Sequence, residues 1–425
     1  MHQGSDSPIQ AAWPKLQQYR QNVTDCTCPK KRATNSNYEK RMRNLQMLII
    51  LLSASLLVWI AVLIDAVLGL KSMDRLEDSD AMTEGPLLSV ITAARNEEAK
   101  LAESIKSQLR QNYKRMEWIL VNDRSADSTG DIMDHIQQSD SRVKSIHIDT
   151  LPSGWLGKNH ALYKGYMESS GELILFTDAD VVFKQDAFSK AVHYFSKNEL
   201  DHLTAAPSLT GRSFWLSTFI AFFLFGFSYY KRPWLANNQR SKIGIGIGAF
   251  NLVSRRSYEA IGTHKAIKMR PDDDLMLGMK MKQNGLRQRL ATAMELIEVE
   301  WYESLPEAFK GLEKNTFAGL HYRISMVLFA IAGTFSSQVL PFLTIFSTDI
   351  IIFSLSLANI IFLAGVYTII TKRMTKFTPL LFTVFPITAL LFIYSIIRAS
   401  ILTFVRGGIV WRGTLYKLSE LRNKR

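Results

Sequence analysis

Two long apolar stretches, one near each end of the chain, place the strongest limit on its fold. Residues 47–70 contain a single acid, Asp65, and residues 324–404 are nearly continuous apolar sequence with two short polar interruptions. An apolar run of about 18 residues or more is long enough to cross a bilayer as a helix. We therefore predict a transmembrane helix over 47–70 and about three transmembrane or re-entrant helices over 324–404.

The segment between the two apolar stretches has the polarity of a soluble domain. Residues 80–323 are numerous enough to bury a core of their own. Within them, residues 213–234 are mostly apolar, rich in Phe, and end in Tyr, Lys and Arg. Aromatic and basic side chains concentrate at the membrane surface, so we predict an interfacial helix there, with a buried core helix as the alternative.

The termini are polar and rich in Lys and Arg. Residues 1–46 lack a helical or strand period, which predicts a disordered basic N-terminal extension. Residues 405–425 form a basic C-terminal tail. The only cysteines, Cys26 and Cys28, lie in the extension, and two thiolates are too few for a structural zinc site.

The formal net charge of the chain is +13. Nucleic-acid binding is one interpretation of such a charge, but no recognition motif accompanies it. Membrane proteins carry excess Lys and Arg beside their spans, where these residues face anionic lipid or the cytoplasm. The charge therefore predicts a lipid bilayer as partner and no nucleic acid.

Two sequence periods alternate in the first half of the polar segment. The strand-like runs are 87–93, 117–122, 145–148 and 172–177, and the helix-like runs are 97–111, 126–138 and 159–169. Strands that alternate with helices predict an α/β domain with a parallel sheet covered on both faces. In such sheets ligands bind beyond the carboxyl ends of the strands.

Acidic side chains follow three of these strands. Glu97 comes after the first, Asp123 after the second, and Asp178 and Asp180 after the fourth. One acid after a strand is commonly a helix cap, but three strands that bring acids to one edge suggest a cation. Mg²⁺ and Mn²⁺ prefer carboxylate and phosphate oxygens and keep part of their shell for substrate phosphates and water. We therefore predict Mg²⁺ or Mn²⁺ at this edge.

Five motifs, in this order and spacing, resemble the family 2 glycosyltransferases. They are SVITAARNEE (89–98), ILVNDRSADST (119–129), GKNHAL (157–162), TDAD (177–180) and PDDDLMLG (271–278). The resemblance runs from about residue 86 to 320. It implies the GT-A fold, a Rossmann-like nucleotide-diphospho-sugar transferase domain, here with transmembrane helices at both ends.

Two further stretches resemble the membrane-bound members that glycosylate lipids. LPSGWLGKNHAL (151–162) and VWRGTLY (410–416) are similar to the hopanoid-associated and 4,4'-diaponeurosporenoate-type glycosyltransferases. This resemblance implies an inverting transfer of sugar from a nucleotide-diphosphate sugar, such as a UDP-sugar, to a membrane lipid such as a carotenoid or terpenoid. The alternatives are a polyprenyl-phosphate or glycerolipid glycosyltransferase and a catalytically inactive GT-A-like membrane scaffold.

The resemblance also implies roles for the matched positions. Asp180 would bind the metal directly, and Asp178 would bind the ribose or the metal. Asp274 would be the general base that deprotonates the acceptor, with Asp273 as the alternative. The remaining positions would bind the donor: Ala94, Asn96, Glu97, Asp123, Trp155 and Lys158.

Each of these positions also has a structural interpretation. Lys158, which would reach the pyrophosphate, could be a solvated residue of a helix N-terminus. Trp155 could pack in the core instead of stacking on the sugar. The acids 272–274 could favour a helix N-terminus through its dipole. The glycine-rich stretch 244–250 lacks the spacing of a dinucleotide site, and we predict a tight segment whose backbone approaches the sugar or acceptor.

One motif of the family is absent. Many processive relatives carry Gln-x-x-Arg-Trp after the acidic pair, and residues 307–323 do not contain it. Polymer synthesis is therefore not expected. Lys314, Asn315 and Arg323 are the candidates for replacing its contact with the acceptor.

The expected location is the cell membrane, with several spans and the catalytic domain in the cytoplasm, where nucleotide sugars are made. The basic extension would then lie outside, against the positive-inside rule, unless translation starts at Met42 or Met47. The polar interruption 371–376 and the tail from Arg406 both favour the cytoplasm, although one apolar run separates them. That run, 378–404, could therefore be re-entrant.

Overall fold

The computed structural model describes residues 29–320, 322–411 and 414–418. The two cysteines and the end of the basic tail lie outside these residues. The side chains of Lys314 and Asn315 also lie outside the described part, so the predicted role of these two residues stays a prediction.

The described helices, in chain order, are α1 (Pro29–Leu70), α2 (Leu101–Leu109), α3 (Thr129–Ser139), α4 (Gly157–Met167), α5 (Ala187–Lys197), α6 (Phe214–Lys231), α7 (Arg255–Ala260), α8 (Asp273–Gln283), α9 (Leu305–Gly319), α10 (Ile324–Thr334), α11 (Leu340–Thr344), α12 (Ile350–Met374) and α13 (Phe385–Val405). The strands are β1 (Leu88–Ala94), β2 (Met116–Asp123), β3 (Val143–Ile148), β4 (Leu173–Asp178), β5 (Val181–Phe183), β6 (His202–Thr210), β7 (Asn251–Ser254), β8 (Gln288–Glu300), β9 (Gly408–Trp411) and β10 (Thr414–Lys417). A π-helical turn, Phe335–Val339, joins α10 to α11.

Strands β1 to β8 form one mixed sheet in the order β3-β2-β1-β4-β7-β6-β8-β5. Strand β1 is parallel to both β2 and β4, and β2 is parallel to β3. Strand β7 is antiparallel to both of its neighbours, β4 and β6. The predicted α/β alternation is confirmed over β1 to β4, because parallel neighbours need a crossover of helix length between them.

Alternate residues of the central strands build a core on each face of the sheet. Val90 of β1 and Leu175 of β4 belong to the cluster on one face. Ile91 and Ile174, their chain neighbours, belong to the cluster on the other face. Successive strand residues point to opposite faces, so a strand covered on both sides is a continuous apolar run. This explains the unbroken apolar strands of the sequence.

Within the described part of the chain, four helical stretches are long and apolar enough to cross a membrane: Tyr38–Leu70, Ile324–Thr344, Ile350–Met374 and Pro379–Val405. Their number and position agree with one span before the α/β domain and about three after it. Large apolar side chains remain exposed on their outer surfaces, for example Leu57 at 68% and Ile361 at 59%. Such surfaces suit contact with lipid tails.

Polar contacts join the helices of the bundle to one another and to the α/β domain. Asn359 of α12 donates a hydrogen bond to the carbonyl of Leu52 in α1, at 2.9 Å, which joins the first span to the third. Lys376 lies 2.8 Å from Glu295 of β8. The polar interruption after α12 therefore lies on the side of the α/β domain.

Part of the segment 1–46, for which we predicted disorder, is helical in the structure. Helix α1 begins at Pro29 and continues without interruption to Leu70. Once the apolar run has formed a helix, each further residue adds a hydrogen bond without a new nucleation cost. The polar residues before the span therefore extend the same helix.

The predicted interfacial helix over 213–234 is largely buried. The side chains of Phe222 and Phe225 in α6 are 2% and 0% exposed, and both pack against Phe385 of α13. The bundle interior accepts the same aromatic residues as a membrane surface does, so composition did not distinguish the two. The exposed aromatic residues of α6 lie at its two ends: Phe214, Trp215 and Tyr230.

Glycines allow α8 to lie directly on the glycine-rich stretch 244–250. A Cβ atom on Gly278 would lie 2.1 Å from the carbonyl oxygen of Ile245, and one on Gly244 would lie 2.2 Å from the carbonyl oxygen of Gly278. Both obstacles are backbone atoms, which cannot move aside as a flexible side chain can. The closeness of the two segments therefore requires glycine on both.

We expect Gly278→Ala to destabilise the domain by about 1–3 kcal/mol, because the added methyl group overpacks this contact. The measurement is the thermal unfolding of the purified full chain in detergent. Gly226→Ala is the matched control, since a Cβ atom on this helical glycine has no neighbour within 4 Å. Equal melting temperatures for the two variants would contradict the packing described here.

Candidate active site

The carboxyl ends of three strands meet at one edge of the sheet. In the register of the sheet, Ala94 at the end of β1 pairs with Asn122, and Ala93 pairs with Asp178 of β4. The residues that follow each strand are therefore level with one another. The structure thus brings the predicted residues of these three strand ends to one place.

The loops after β1 and β2 are joined by hydrogen bonds. The Asn96 side chain accepts a hydrogen bond from the backbone N–H of Ala126 at 2.8 Å. The backbone N–H of Glu97 donates to the hydroxyl of Thr129, also at 2.8 Å. Asn96 has a left-handed backbone, with φ of 56°, which an Asn tolerates better than most residues. The side chain of Asn96 therefore fixes its loop to the loop after β2.

Asp123, one of the predicted donor-binding residues, is buried, and its neighbour Arg124 holds its carboxylate. The Arg124 guanidinium makes two hydrogen bonds to the Asp123 carboxylate, at 2.8 and 3.2 Å. A Cβ atom on Gly157 would lie 2.2 Å from Asp123 Oδ2. The glycine at the start of α4 therefore brings this carboxylate next to the helix that carries Lys158.

Lys158 is the central cation of the edge. Its Nζ lies 2.6 Å from Asp178 Oδ1 and 3.7 Å from Asp273 Oδ2. Burial disfavours the charged amine, but the charges of the nearby carboxylates outweigh burial and raise the pKa of Lys158. Lys158 is therefore a partly buried, paired cation and not a solvated residue of the helix surface.

Asp180 has the electrostatic character of a cation ligand. Burial raises its pKa to about 6, and the negative charges of Asp178 and Glu97 add to the effect. Tyr302 is close enough that burial, together with the charge of Asp180, raises the pKa of its phenol. A divalent cation would stabilise the ionised carboxylates that burial and mutual repulsion destabilise.

The carboxylates of this edge fit a cation that is shared with a phosphate. Asp178 and Asp180 are the oxygen ligands that we predict, and the described residues contain no group of three or more potential metal-binding side chains. Mg²⁺ and Mn²⁺ are commonly held by one or two carboxylates together with substrate phosphates. The donor set therefore suits Mg²⁺ or Mn²⁺, and direct ligation by these two residues stays a prediction.

The acids at the start of α8 are divided between two environments. Asp272 pairs with Arg270 at 2.7 Å. The Asp273 side chain is buried beside Lys158. The Asp274 carboxylate accepts two backbone hydrogen bonds, from Gly248 at 2.9 Å and from Leu275 at 2.8 Å. Asp273 and Asp274 thus face the pocket while Asp272 is engaged elsewhere.

Burial sets the proton affinity of Asp274. It raises the pKa of this carboxyl, and the positive charge of Lys158 opposes the rise. A carboxylate with a raised pKa accepts a proton more readily, as a general base requires. This agrees with the predicted role of Asp274 as general base, which stays a prediction.

The glycine-rich stretch 244–250 lies between the acids. A Cβ atom on Gly248 would lie 2.4 Å from Asp178 Oδ2, and one on Gly246 would lie 1.9 Å from the carbonyl oxygen of Asp274. We predicted a backbone that approaches a sugar or acceptor. In the structure it approaches the acids, and it holds β4 and α8 at a short distance from each other.

Trp155 lies near the end of the loop that leads into α4. Its ring is stacked on Tyr163, with centroids 5.4 Å apart, and meets His160 edge-on. The described contacts of Trp155 are therefore aromatic packing. Its predicted contact with the sugar stays a prediction.

Sequence reasoning missed two polar residues of the pocket that lie outside the motifs, Asn251 and His264. His264 lines the pocket together with Lys158, Asp178, Asp273 and Asp274. It lies outside the motifs that carry the resemblance, since it comes between the glycine-rich stretch and the acids of α8. A histidine shortly before an acidic cluster was the only signal in the sequence.

The comparisons with known proteins agree with this geometry. Residues 89–262 match the family model described as glycosyl transferase family 2. A mannosyltransferase of Pyrobaculum calidifontis, solved with GDP-Man and Mn²⁺, superposes with a TM-score of 0.50 at 15% identity, over 84% of this chain and 99% of that one. That likeness establishes a GT-A-like fold. The chain carries a family 2 glycosyltransferase domain.

Curated relatives match shorter stretches. A probable glycosyltransferase of Bacillus subtilis, YdaM, is 38% identical over 23% of this chain and 24% of its own length. A 4,4'-diaponeurosporenoate glycosyltransferase of Staphylococcus haemolyticus is 33% identical over 25% of this chain and 27% of its own length. The chain thus spans about a quarter of each relative, and the activity of the whole protein is a matter for proposal.

We expect Mn²⁺ binding to weaken as the pH falls through about 6, because protons then compete for the Asp180 carboxylate. Electron paramagnetic resonance of Mn²⁺ with the purified full chain measures this at pH 5 and pH 7.5. Asp180→Asn should bind weakly at both pH values. Asp186→Asn, which removes a partly exposed carboxylate outside the pocket, should behave like the wild type. A pH-independent affinity in the wild type would contradict the assignment.

Proposed function

We propose that this protein transfers a sugar from a nucleotide-diphosphate sugar to a membrane lipid, with inversion at the anomeric carbon. The observation that carries the proposal is the position of Lys158. Its ammonium lies between Asp178, at the carboxyl end of β4, and Asp273, at the start of α8. One cation thus connects the predicted donor and metal side of the pocket to the predicted acceptor side.

The charges suit the chemistry of this transfer. When the sugar leaves its donor, negative charge develops on the diphosphate, and the ammonium of Lys158 can stabilise it. A divalent cation bound at Asp178 and Asp180 would add electrophilic stabilisation of the same oxygens. Lys158 is positioned by two carboxylates, so it needs little reorganisation to act.

The acceptor must lose a proton during its attack, and Asp274 is our candidate to take it. Two backbone N–H groups fix the orientation of its carboxylate. Attack by the acceptor on the face opposite the leaving diphosphate inverts the anomeric carbon. An acceptor that is already a carboxylate would need less help from a base.

The donor side is proposed from the strand ends. Ala94 and Glu97 follow β1, and Asp123 ends β2, at the edge where nucleotides bind in open α/β sheets. Arg124 already holds both oxygens of the Asp123 carboxylate. For Asp123 to contact the nucleobase of the donor, its carboxylate must therefore share or exchange one of its hydrogen bonds with Arg124. A UDP-sugar is our proposed donor.

The N-terminus of α6 supports a lipid acceptor. Phe214 and Trp215 are 54% and 42% exposed. Directly before them, Arg212 pairs with Glu300, which also pairs with Lys100 at 3.2 Å. The positive charge of Lys100 in turn opposes the rise in the pKa of Asp180. The two exposed rings thus lie close to the predicted metal side of the pocket. They stand at the start of a helix that packs on the transmembrane bundle.

The relatives support the same acceptor class. One of the matched proteins bears the name 4,4'-diaponeurosporenoate glycosyltransferase. A carotenoid or terpenoid acid is therefore our first choice of acceptor, and a polyprenyl phosphate or glycerolipid is the second. Analysis of glycosylated lipids extracted from cells that express the chain distinguishes them, and the absence of any new glycolipid would contradict the proposal.

The proposed location is the cell membrane, with the α/β domain in the cytoplasm. Cytoplasmic loops are enriched in Lys and Arg. The last turn of α12 carries Lys372 and Arg373, and Lys376 in the following loop contacts Glu295 of the domain. This local charge supports the cytoplasmic side for the domain.

We expect Asp274→Asn to lower the rate of transfer by about 10²–10⁴-fold with little change in donor affinity, because the lost group acts on the acceptor. Transfer to extracted lipid and binding of UDP-glucose by the full chain are the two measurements. Asp272→Asn is the matched control, since Asp272 pairs with Arg270. A parallel loss of donor binding in Asp274→Asn would point to Asp273 as the base.

We expect the double substitution Phe214→Ser and Trp215→Ser to reduce transfer to a long-chain lipid far more than hydrolysis of the donor. The exposed rings would no longer dock the site on the bilayer. Phe346→Ser is the control, because this exposed ring lies in the connection between α11 and α12. Equal losses of transfer and hydrolysis would argue against a membrane-docked acceptor.

A further inference from the structure

His264 occupies the pocket on a strained turn. Gly262 and Thr263 precede it with φ angles of 86° and 56°. Only glycine adopts the left-handed region without strain, so the conformation of Thr263 is unfavourable by about 1–3 kcal/mol. Such strain persists where the surrounding structure requires one particular placement. Here the residue placed is His264, whose side chain is 1% exposed.

The ring of His264 uses one of its two nitrogens within the protein. Its Nδ1 lies 2.5 Å from the hydroxyl of Tyr258, and the backbone N–H of His264 donates to the same hydroxyl at 3.0 Å. The hydroxyl has one proton to donate, and Nδ1 is the only acceptor that the described residues place within hydrogen-bond distance of it, so we assign this proton to the bond with Nδ1. The proton of the neutral ring is therefore on Nε2.

Nε2 makes no hydrogen bond to any residue that the structure describes, and the side chain lines the pocket of Lys158 and the acids. His202 in the same domain provides a contrast. It is equally buried, but its Nε2 contacts Asn251 at 3.0 Å and its Nδ1 contacts Gln288 at 2.5 Å. His202 is a core histidine with both nitrogens satisfied, and His264 is not.

His264 is also connected to the helix that carries Lys158. The side chain of Asn159 donates hydrogen bonds to the carbonyls of Ile267 and Arg270, at 2.9 and 3.0 Å. The backbone N–H of Leu156 donates to the carbonyl of Lys268 at 2.9 Å. The segment after His264 is therefore fixed to the first turn of α4, and His264 and Lys158 are held as one unit.

The ring stays neutral at any ordinary pH. Burial lowers the pKa of His264 to about 3, and the positive charge of Lys158 lowers it further. Nε2 thus offers an uncharged N–H beside a pocket that otherwise holds one ammonium group and three carboxylates. Carboxylates accept hydrogen bonds from hydroxyl groups, whereas they repel phosphate oxygens. This combination of acceptors and one neutral donor fits the hydroxyl groups of a sugar.

We propose that His264 donates its Nε2–H to a hydroxyl oxygen of the donor sugar and so helps to select which sugar is transferred. This inference rests on the proposed function and adds a specificity-determining residue to it. Tyr258 acts through His264, as a positioning residue that fixes the tautomer. A buried N–H that pairs with a sugar hydroxyl discriminates against sugars that lack it, because the N–H is then left without an acceptor.

The test compares the binding of UDP-glucose with that of UDP, by calorimetry on the purified full chain. His264→Ala should weaken UDP-glucose binding by roughly 3- to 10-fold and leave UDP binding unchanged. His264→Gln, which retains an N–H donor, should recover part of the loss. Tyr258→Phe should show a smaller loss of the same kind. His135→Gln, an exposed histidine of α3, is the matched control and should bind both ligands like the wild type.

Deoxy analogues of UDP-glucose identify the hydroxyl. The analogue that lacks the contacted hydroxyl should bind the wild type and His264→Ala equally. Equal weakening of UDP and UDP-glucose, or no weakening of either, would overturn the inference and leave the proposed function standing. Failure of the wild type to bind UDP-glucose and GDP-mannose would instead overturn the proposed function, and the inference with it. If the wild type binds GDP-mannose but not UDP-glucose, the same comparison is made between GDP-mannose and GDP.

Discussion

The acids at the edge of the sheet can coexist because one ammonium group lies among them. Lys158 contacts Asp178 of β4 and Asp273 of α8, two elements that are far apart in the sequence. Carboxylates that are partly removed from water repel one another strongly unless a cation is near. The approach of these elements to the start of α4 is therefore fixed by charge. Gly157 and Gly248 supply the space for it.

Local pattern was sufficient for the parallel half of the fold. The alternation of apolar runs and helical periods predicted β1 to β4 and their helices, because each of these elements is decided by its own residues and its crossover. The antiparallel strand β7 has four residues, and its place between β4 and β6 is set by pairing with distant strands. Helix α6 was misjudged for a similar reason, since the bundle that buries it follows later in the chain.

Of the predicted site residues, Lys158, Asp178, Asp273 and Asp274 line one pocket, and the sequence did not predict how these residues pair. Asp123 and Arg124 are neighbours in sequence, but their two hydrogen bonds depend on the left-handed backbone of Arg124, with φ of 57°. His264 lies outside the motifs. The role that we propose for it follows from which of its two ring nitrogens has a hydrogen-bond partner, and only the three-dimensional contacts supply that information.

Glu313 of α9 links the domain to the last helix of the bundle. Its carboxylate pairs with Arg398 of α13 and with Arg406, the latter at 2.9 Å. On the same helix, Gly311 lies against the ring of Tyr302, beside Asp180. During synthesis, Glu313 therefore emerges well before both of its partners. Helix α9, which packs on Tyr302, therefore reaches its final pairing only after α13 and Arg406 have been made, so the packing beside Asp180 is coupled to synthesis of the last helix of the bundle.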